Sequence, residues 1–336
     1  MTQKYYDPDI VKFLVIRFSS IGDIVLTTPA VRCLKRQVKD AEVHFLTKEE
    51  YFPILKSNPY IDQIHLLRGD NFSELIERLK EENFHYIIDL HKNIRTFRVK
   101  QKLRIIAFSF RKLNWQKWLA VNFKINKLPS KHIVDRYLEP LEVFDVKNDN
   151  RGLDYFLEKE DNVDLTQIDK MIKKQFTVIV VGGKHKTKQI PEEHIAFICN
   201  KLDDLFILLG GKEDYLAAEN AVKLTEKKNV INMCGKFSIN QSASIIKQAG
   251  YVITPDTGLM HIAAAFKKKI ITVWGNTIPQ FGMNAYQPHP ASADFEVKNL
   301  RCRPCSKIGY SKCPKKHFKC MHEINYDQLI DYIKRF

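Results

Sequence analysis

Residues 251–277, YVITPDTGLMHIAAAFKKKIITVWGNT, place a strand, a helix and a second strand in immediate succession. YVITPD (251–256) and IITVWG (270–275) are short apolar runs bounded by turn residues, whereas LMHIAAAF between them has apolar residues at helical spacing. Strands that alternate with helices indicate parallel sheets covered on both faces. This stretch therefore predicts an α/β fold.

The same alternation extends along most of the chain. The predicted strands are residues 12–18, 42–47, 61–67, 85–90, 104–108, 177–182, 205–210, 230–235, 251–256 and 270–275. The polar stretch 147–164 separates the first five from the last five, and 336 residues suit two domains of about 150 residues each. We therefore predict two doubly wound domains, 1–165 and 166–325. A helix at 326–336 is a candidate to pack back on the first domain.

Composition narrows the class of protein. Hydrophobic residues make up 44% of the chain and charged residues 28%, as in ordinary soluble globular proteins. No apolar run approaches the 18 or so residues that a membrane span requires, and the first ten residues lack the apolar core of a signal peptide. We therefore expect a cytoplasmic protein.

Positive charge is concentrated in one block within a formal net charge of +15. From His91 to Lys131 the chain carries twelve Lys or Arg residues and no Asp or Glu. Such a block favours an anionic partner, namely phosphate groups, nucleic acid or an acidic membrane surface, although a solvated basic face is the alternative. The block is interrupted by Phe108, Phe110, Trp115, Trp118 and Phe123. This mixture suits a membrane interface, and equally a loop and helix that cover a core.

The segment RFSSIGDIVLTTPAVRCLKR (17–36) joins a strand to a helix through Gly22 and Asp23. Gly22 permits close backbone approach, and the helix N-terminus offers unpaired N–H groups. Asp23 could accept a proton from an acceptor hydroxyl, or it could simply be an N-cap. The glycines match neither GxGxxG nor GxxxxGK[ST], so a nicotinamide or flavin cofactor and an ATP-hydrolysing P-loop are disfavoured.

A second junction follows the strand 251–256. Thr257 and Gly258 expose backbone donors at a helix start, which is a ready site for a diphosphate, and Asp256 could bind sugar hydroxyls. The alternative is a capped turn, with His261 buried and hydrogen-bonded in the interior rather than bound to a ligand.

Paired glycines follow two further strands of the second half. VIVVGGKHKTKQIPEEH (178–194) has Lys188 after its glycine pair, and ILLGGKEDY (207–215) has Gly210, Gly211 and Glu213. Such glycines let the backbone lie against a nucleotide, and a lysine can neutralise phosphate charge. Ordinary tight strand–helix turns are the alternative for each pair.

Four cysteines lie near the C-terminus in the pattern C-x₂-C-x₇-C-x₆-C, with two histidines close by: Cys302, Cys305, Cys313, Cys320, His317 and His322. The CxxC half suits a structural zinc, but the second half lacks a short cysteine pair. A cytosolic location argues against disulfides. Reduced thiols in an irregular loop are therefore favoured, with structural zinc as the alternative.

Taken together, these segments resemble glycosyltransferase family 9, the heptosyltransferases of lipopolysaccharide core assembly. S-I-G-D at 20–23 and D-T-G-x-x-H at 256–261 are the most specific parts, and ILLGGKED and VWGNTIPQFGM extend the resemblance over nearly the whole chain. The resemblance implies a GT-B fold, in which two Rossmann-like domains face each other across a cleft. It also implies an ADP-heptose donor and inversion at the anomeric carbon, with no cofactor and no catalytic metal.

The resemblance assigns roles to individual residues. Domain 1–165 would bind the acceptor, with Asp23 as general base and Gly22 beside the donor phosphates. Domain 166–325 would bind the nucleotide sugar through Lys188, Gly210, Gly211, Glu213, Asp256, Thr257, Gly258 and His261. Ile190 stands where many relatives carry Trp. An anionic acceptor such as phosphorylated or Kdo-bearing lipid A would meet Lys92, Arg95, Arg98 and Arg136.

The partners implied are a nucleotide sugar, a lipid-linked acceptor and, through electrostatics, the inner membrane surface. A GT-B transferase or epimerase that uses a UDP- or GDP-sugar is the alternative, since fold alone does not separate these. A basic nucleic-acid-binding protein is a weaker alternative, because no recognition motif accompanies the basic block.

Overall fold

The computed structural model describes residues 10–69, 71–167, 172 and 175–335. The strands in these residues are β1 (Val11–Ile16), β2 (Ala41–Lys48), β3 (Gln63–Leu67), β4 (Tyr86–Asp89), β5 (Ile106–Ser109), β6 (Phe176–Val180), β7 (Leu205–Leu209), β8 (Val230–Asn232), β9 (Tyr251–Pro255), β10 (Lys269–Trp274) and β11 (Ala293–Glu296). The helices are α1 (Ile21–Val25), α2 (Thr28–Gln37), α3 (Phe52–Leu55), α4 (Phe72–Glu81), α5 (Ile94–Leu103), α6 (Asn114–Phe123), α7 (Ile133–Leu138), α8 (Glu192–Lys201), α9 (Tyr215–Leu224), α10 (Ile239–Gln248), α11 (Gly258–Ala265), α12 (Lys319–His322) and α13 (Tyr326–Lys334).

The chain divides into two compact units. The first unit contains the described residues through Lys112 together with Ile133–Phe156, and the second contains Leu113–His132 and the described residues from Leu157 onward. Each unit has one parallel sheet, with strand order β3-β2-β1-β4-β5 in the first and β11-β10-β9-β6-β7-β8 in the second. The predicted class, two doubly wound α/β domains, is confirmed.

Buried apolar side chains hold helices against each sheet. In the first unit, Leu14 and Ile16 of β1 belong to a buried cluster with Leu75 and Leu79 of α4. In the second unit, the central strands form a larger cluster with α8, α9 and α13. The central strands are apolar on both faces, as expected of parallel strands covered on both sides. Among the described residues, no helix has the length and apolarity needed to cross a bilayer.

Two segments group differently from the sequence expectation. Residues 113–132, which include α6, lie with the second unit rather than the first, and the change of unit along the chain falls after Phe156 rather than near residue 165. Helix α13 packs in the core of the second unit, where Leu329 and Ile330 join Ile195 and Ile198 of α8. The apolar stripe of the helix is buried within its own unit, and its packing against the first domain stays a prediction.

Both sheets have a topological switch point, where the strand order reverses direction. It lies between β1 and β4 in the first unit and between β6 and β9 in the second. Ligands of open α/β sheets bind outside the carboxyl ends of the strands at such points. The loops that follow these four strands are therefore the places to look for a site.

Candidate active site

Asp23 lies at the carboxyl end of β1, in the first turn of α1. The N-cap of this helix is Ser20, and Gly22 is buried beside Asp23. The Asp23 carboxylate accepts hydrogen bonds from the Ser20 backbone N–H at 3.2 Å and from the Ser20 hydroxyl at 2.8 Å. Asp23 is therefore not the N-cap that the sequence left open. It supports the helix start from the third helical position, as in a capping box.

Arg17 contacts the other carboxylate oxygen of Asp23. Its Nη2 lies 2.7 Å from Oδ1 of Asp23, and its Nη1 donates to the carbonyl of Leu90 at 2.6 Å and to the hydroxyl of Tyr137 at 2.8 Å. Burial opposes the charge on Arg17, but the interactions with Asp23, Tyr137 and Asp89 together outweigh that effect, and the pKa of Arg17 is raised. The buried cation thus fixes the direction of the carboxylate, which a general base requires.

The loop after β4 brings another titratable group to the same switch point. The His91 ring packs edge-on against Phe18, with ring centroids 5.6 Å apart. Burial, followed by the charges of Arg17 and Lys112, lowers the pKa of His91 to about 4, so the ring is neutral near pH 7. Sequence reasoning missed His91, although its position directly after the strand 85–90 was a usable signal.

The four basic residues expected to bind the acceptor differ in exposure. Lys92, Arg95 and Arg98 are exposed near the carboxyl end of β4 and along α5, and the Arg95 guanidinium lies 5.5 Å from the ring centre of Phe18. Arg136, by contrast, is 2% exposed within α7. Direct contact with an anion is therefore more readily made by the first three, and their role stays a prediction.

In the second unit, the loops after β6 and β9 meet at the switch point. Nζ of Lys188 lies 2.6 Å from Oδ2 of Asp256, although the two residues are 68 positions apart. The hydroxyl of Thr277, after β10, donates to the same oxygen at 3.0 Å. The Lys188 and Asp256 side chains remain 17% and 14% exposed. An ammonium group and a carboxylate are thus held at one spot that a ligand can reach.

The start of helix α11 lies beside this ion pair. Thr257 is the N-cap, yet its side chain makes no capping hydrogen bond, and its hydroxyl lies 3.2 Å from that of Thr254. A methyl group placed on Gly183 would lie 3.6 Å from Cγ2 of Thr257, so the two loops are in close contact. The N–H groups from Gly258 onward can therefore receive an anion. His261 is 2% exposed, in line with the interior alternative, and its contact with phosphates stays a prediction.

Asp214 organises the glycine loop after β7. Its carboxylate accepts hydrogen bonds from the Gly211 N–H at 2.8 Å and from the Gln189 side-chain amide at 3.2 Å. A methyl group on Gly210 would lie 2.8 Å from Cβ of Asp214, and one on Gly211 would clash with the Glu213 carboxylate. Gly210 is thus needed for close approach, whereas a side chain at Gly211 would only displace the exposed carboxylate of Glu213. Sequence reasoning named the glycines and Glu213 but missed Asp214, which holds the loop.

A cavity of about 410 Å³ lies within the second unit, next to the loop that carries Lys188. Its lining includes Thr187 and Gln189, which flank Lys188, and the buried Ile190. Asp256 is not part of the lining. The cavity therefore adjoins the Lys188 loop without including the ion pair.

The C-terminal cysteines are free thiols. Burial raises the pKa of Cys320 to about 12 and also raises the pKa of Cys305. Sγ of Cys302 lies 3.8 Å from Nε2 of His317. Within the described ranges, the groups of His, Cys, Asp and Glu whose ligand atoms all lie within 4.8 Å of one another include none of these cysteines. Reduced thiols and a structural zinc both stay predictions for these cysteines.

Comparison with known families and sequences gives consistent matches. Residues 72–329 match the model of glycosyltransferase family 9 (heptosyltransferase). Lipopolysaccharide heptosyltransferase 1 of Campylobacter coli is 24% identical over 295 residues, which cover 79% of this chain and 84% of the relative. Lipopolysaccharide heptosyltransferase 3 of Escherichia coli K12 is 24% identical over 312 residues, which cover 82% of this chain and 89% of the relative.

Solved structures show the same fold. A glycosyl transferase family 9 protein from Veillonella parvula superposes with a TM-score of 0.79 at 20% identity and 98% coverage of both chains. The ADP-heptose lipopolysaccharide heptosyltransferase II of E. coli gives 0.74 at 16% identity, covering 97% of this chain and 98% of that one. TibC, an iron-containing dodecameric glycosyltransferase of enterotoxigenic E. coli, gives 0.61 at 11% identity, covering 97% of this chain and 76% of that one. The predicted GT-B fold class is confirmed.

Proposed function

The chain belongs to glycosyltransferase family 9, the heptosyltransferase family, and on that premise we propose that it transfers a heptose from an ADP-sugar to an anionic, lipid-linked acceptor of the lipopolysaccharide inner core. The relatives' names point to heptose and lipopolysaccharide, and one structural neighbour is named for ADP-heptose. Because such an acceptor is anchored in a bilayer, the transfer takes place at the cytoplasmic membrane face.

The observation that carries the proposal is the donor cluster of the second unit. Lys188 and Asp256 form an ion pair of 2.6 Å next to the uncapped start of α11. A sugar diphosphate has hydroxyl groups for a carboxylate and a dianionic bridge for an ammonium group and helix N–H donors. The chemistry of the ligand and that of the cluster therefore correspond.

The proposed reaction is a single displacement. Asp23 removes the proton from the acceptor hydroxyl as that oxygen attacks C1 of the heptose. The bond between C1 and the diphosphate oxygen breaks, its electron pair leaves with ADP, and the configuration at C1 inverts. Lys188 and the N–H groups at Gly258 stabilise the charge that develops on the diphosphate. Asp256 holds the sugar hydroxyls, and Glu213 contacts the ribose.

We further propose that transfer needs no metal ion, because Lys188 and the α11 N-terminus supply the positive charge that a cation would otherwise provide. The described residues offer two possible metal-ligand groups, His44–His65–Glu82 and Glu193–His194–His322, and neither contains Asp23 or Asp256. Activity in excess EDTA is expected to stay within about twofold of the untreated enzyme. A metal requirement would be revealed if EDTA abolished turnover and a divalent cation restored it.

Nucleotide preference gives the most direct test of the donor. Calorimetric titration with ADP, UDP and GDP is expected to show ADP binding tighter by roughly tenfold or more, which is about 1.4 kcal/mol. Tighter binding of UDP or GDP would replace the ADP-heptose proposal with the alternative of a different sugar nucleotide. Lys188→Gln, measured in parallel, is expected to weaken all three nucleotides, because it contacts the diphosphate that they share.

A further inference from the structure

Helix α6 exposes all three of its aromatic side chains. Of its ten residues, Ala120 alone is buried. Trp115 is 65% exposed, Trp118 38% and Phe123 59%, and Ile125, just beyond the helix, is 47% exposed. Exposed apolar residues are normal when scattered singly, but a contiguous patch of large aromatic side chains marks an interaction surface.

These aromatic side chains form one continuous face. The Trp115 and Trp118 rings stack with centroids 4.9 Å apart and an interplanar angle of 17°. Phe123 packs edge-on against Trp118 at 5.1 Å. Positions 115 and 118 are three apart and therefore lie on the same side of the helix. The face is thus preformed on the surface of the second unit, and binding would need little rearrangement.

Contacts within the second unit fix the orientation of the helix. Lys124 ends α6 and its Nζ donates to the carbonyl of Cys302 at 3.2 Å and to that of Pro304 at 2.7 Å. Nζ of Lys117 lies 5.2 Å from the ring centre of Phe281. Two lysines therefore attach α6 to the rest of the unit, and the tryptophan pair faces solvent.

The positive charge around this face indicates an anionic partner. Residues 111–131 contain six Lys or Arg residues and no Asp or Glu. Arg111, Lys127 and Lys131 are exposed. Tryptophan rings prefer the headgroup boundary of a bilayer, and lysine and arginine bind anionic headgroups there. Duplex nucleic acid would use the cations but not a stacked tryptophan pair, so a bilayer accounts for both features.

We propose that α6 is a membrane-docking helix whose Trp115–Trp118–Phe123 face enters the interfacial region of an anionic lipid bilayer. The inference deepens the proposed function and rests on it in one respect: a lipid-linked acceptor is found at such a surface. It assigns the membrane contact to a specific face, so it can be tested without any transfer reaction.

Intrinsic fluorescence offers a direct test, since the chain has three tryptophans. Trp274 is 1% exposed, so the two on α6 should dominate any response to lipid. Vesicles of phosphatidylcholine with phosphatidylglycerol are expected to shift the emission of the full-length protein to shorter wavelength, and brominated lipids to quench it. Vesicles of pure phosphatidylcholine should have a much smaller effect. Unshifted emission with the anionic vesicles would overturn the proposal.

Substitution separates the aromatic face from general electrostatics. The double variant Trp115→Ser/Trp118→Ser is expected to weaken binding to anionic vesicles, measured by cosedimentation, by roughly tenfold or more. Leu216→Ser is the matched control, because Leu216 is 73% exposed on α9 of the same unit and should leave binding unchanged. Unchanged vesicle binding by the double variant would contradict the proposal. Self-association of the wild type that the double variant abolishes would instead assign the face to a second copy.

Transfer assays distinguish failure of this inference from failure of the proposed function. With a deacylated, water-soluble acceptor, the double serine variant should retain wild-type turnover. With the acceptor embedded in vesicles, its turnover should fall by roughly tenfold or more. If the wild type transfers no heptose to either acceptor yet binds vesicles through α6, the proposed function fails and the docking helix stands. Equal loss of turnover with both acceptors would show that α6 acts on the reaction rather than on membrane contact.

Discussion

Asp23→Asn is expected to lower kcat by about 10³-fold, because the amide cannot take the proton from the acceptor hydroxyl. The fold should survive, since Oδ1 of an asparagine can still accept from Arg17 while its Nδ2 faces the Ser20 hydroxyl, which can accept in place of donating. The hydrogen bond from the Ser20 backbone N–H to Asp23, 3.2 Å long, would be lost. Loss of the charge beside the buried Arg17 should cost about 1–2 kcal/mol of the free energy of unfolding. Steady-state release of ADP and thermal unfolding measure the two effects.

Asp40→Asn is the matched control for this substitution. Asp40 is exposed in the same unit and has a positive φ of 53°, which asparagine tolerates well. Its variant should have wild-type kcat. Near-normal turnover by a folded Asp23→Asn would remove Asp23 from the proposed mechanism, whatever its effect on stability.

Lys188→Gln is expected to lower kcat by about 10²-fold, because the leaving diphosphate loses its principal cation. The substitution also leaves the Asp256 carboxylate, 2.6 Å from the present ammonium group, without that neutralising charge beside the donor. KM for the donor should therefore rise as well. Lys188→Arg should recover part of the rate, since it keeps the charge but not the shape of the side chain.

Lys227→Gln provides a control with the same local chemistry. Lys227 pairs with Asp203 at 2.6 Å, the same distance as in the Lys188–Asp256 pair, but Asp203 is 97% exposed. Exposed ion pairs contribute little to the free energy of unfolding, so this variant should match the wild type in both kcat and stability. An equally active Lys188→Gln would mean that another group stabilises the leaving diphosphate.

The sequence predicted the sheets well because buried parallel strands are continuous apolar runs. All ten predicted strands are present, whereas β11 was missed because its sequence, ADFE, is short and half polar. The single helix predicted within the segment 17–36 is two helices, α1 and α2. The hydroxyls of Thr27 and Thr28 donate to the carbonyls of Ile24 and Val25 at the break, and Pro29 lacks an N–H.

The grouping of residues 113–132 with the second unit could not be predicted, because it depends on long-range contacts. Lys124 reaches Cys302 and Pro304, and His132 Nε2 lies 2.9 Å from the carbonyl oxygen of Asn284. Nothing in the local pattern of these residues indicates such partners. The packing partner of helix α13 could not be predicted either, because the sequence shows the apolar stripe of the helix but not the surface that the stripe contacts.

At the candidate site, motifs identified residues that follow strands, and the topology brings several of them together. Lys188 and Asp256 were named separately, and their direct ion pair follows from β6 and β9 being neighbours. The supporting residues were harder to find. Arg17 and Asp214 act through contacts with Asp23 and with the glycine loop, and no spacing rule identifies a partner of that kind.

The central claim is that this chain moves a heptosyl group from ADP-heptose to a lipid-linked acceptor. Mass spectrometry of Kdo-bearing lipid A, after incubation with ADP-heptose and the purified protein, tests that claim most directly. We expect the acceptor to gain the mass of one heptosyl residue, with one ADP released for each acceptor converted. An acceptor that is unchanged with ADP-heptose, while a parallel reaction with a UDP- or GDP-sugar consumes that sugar nucleotide, would contradict the account.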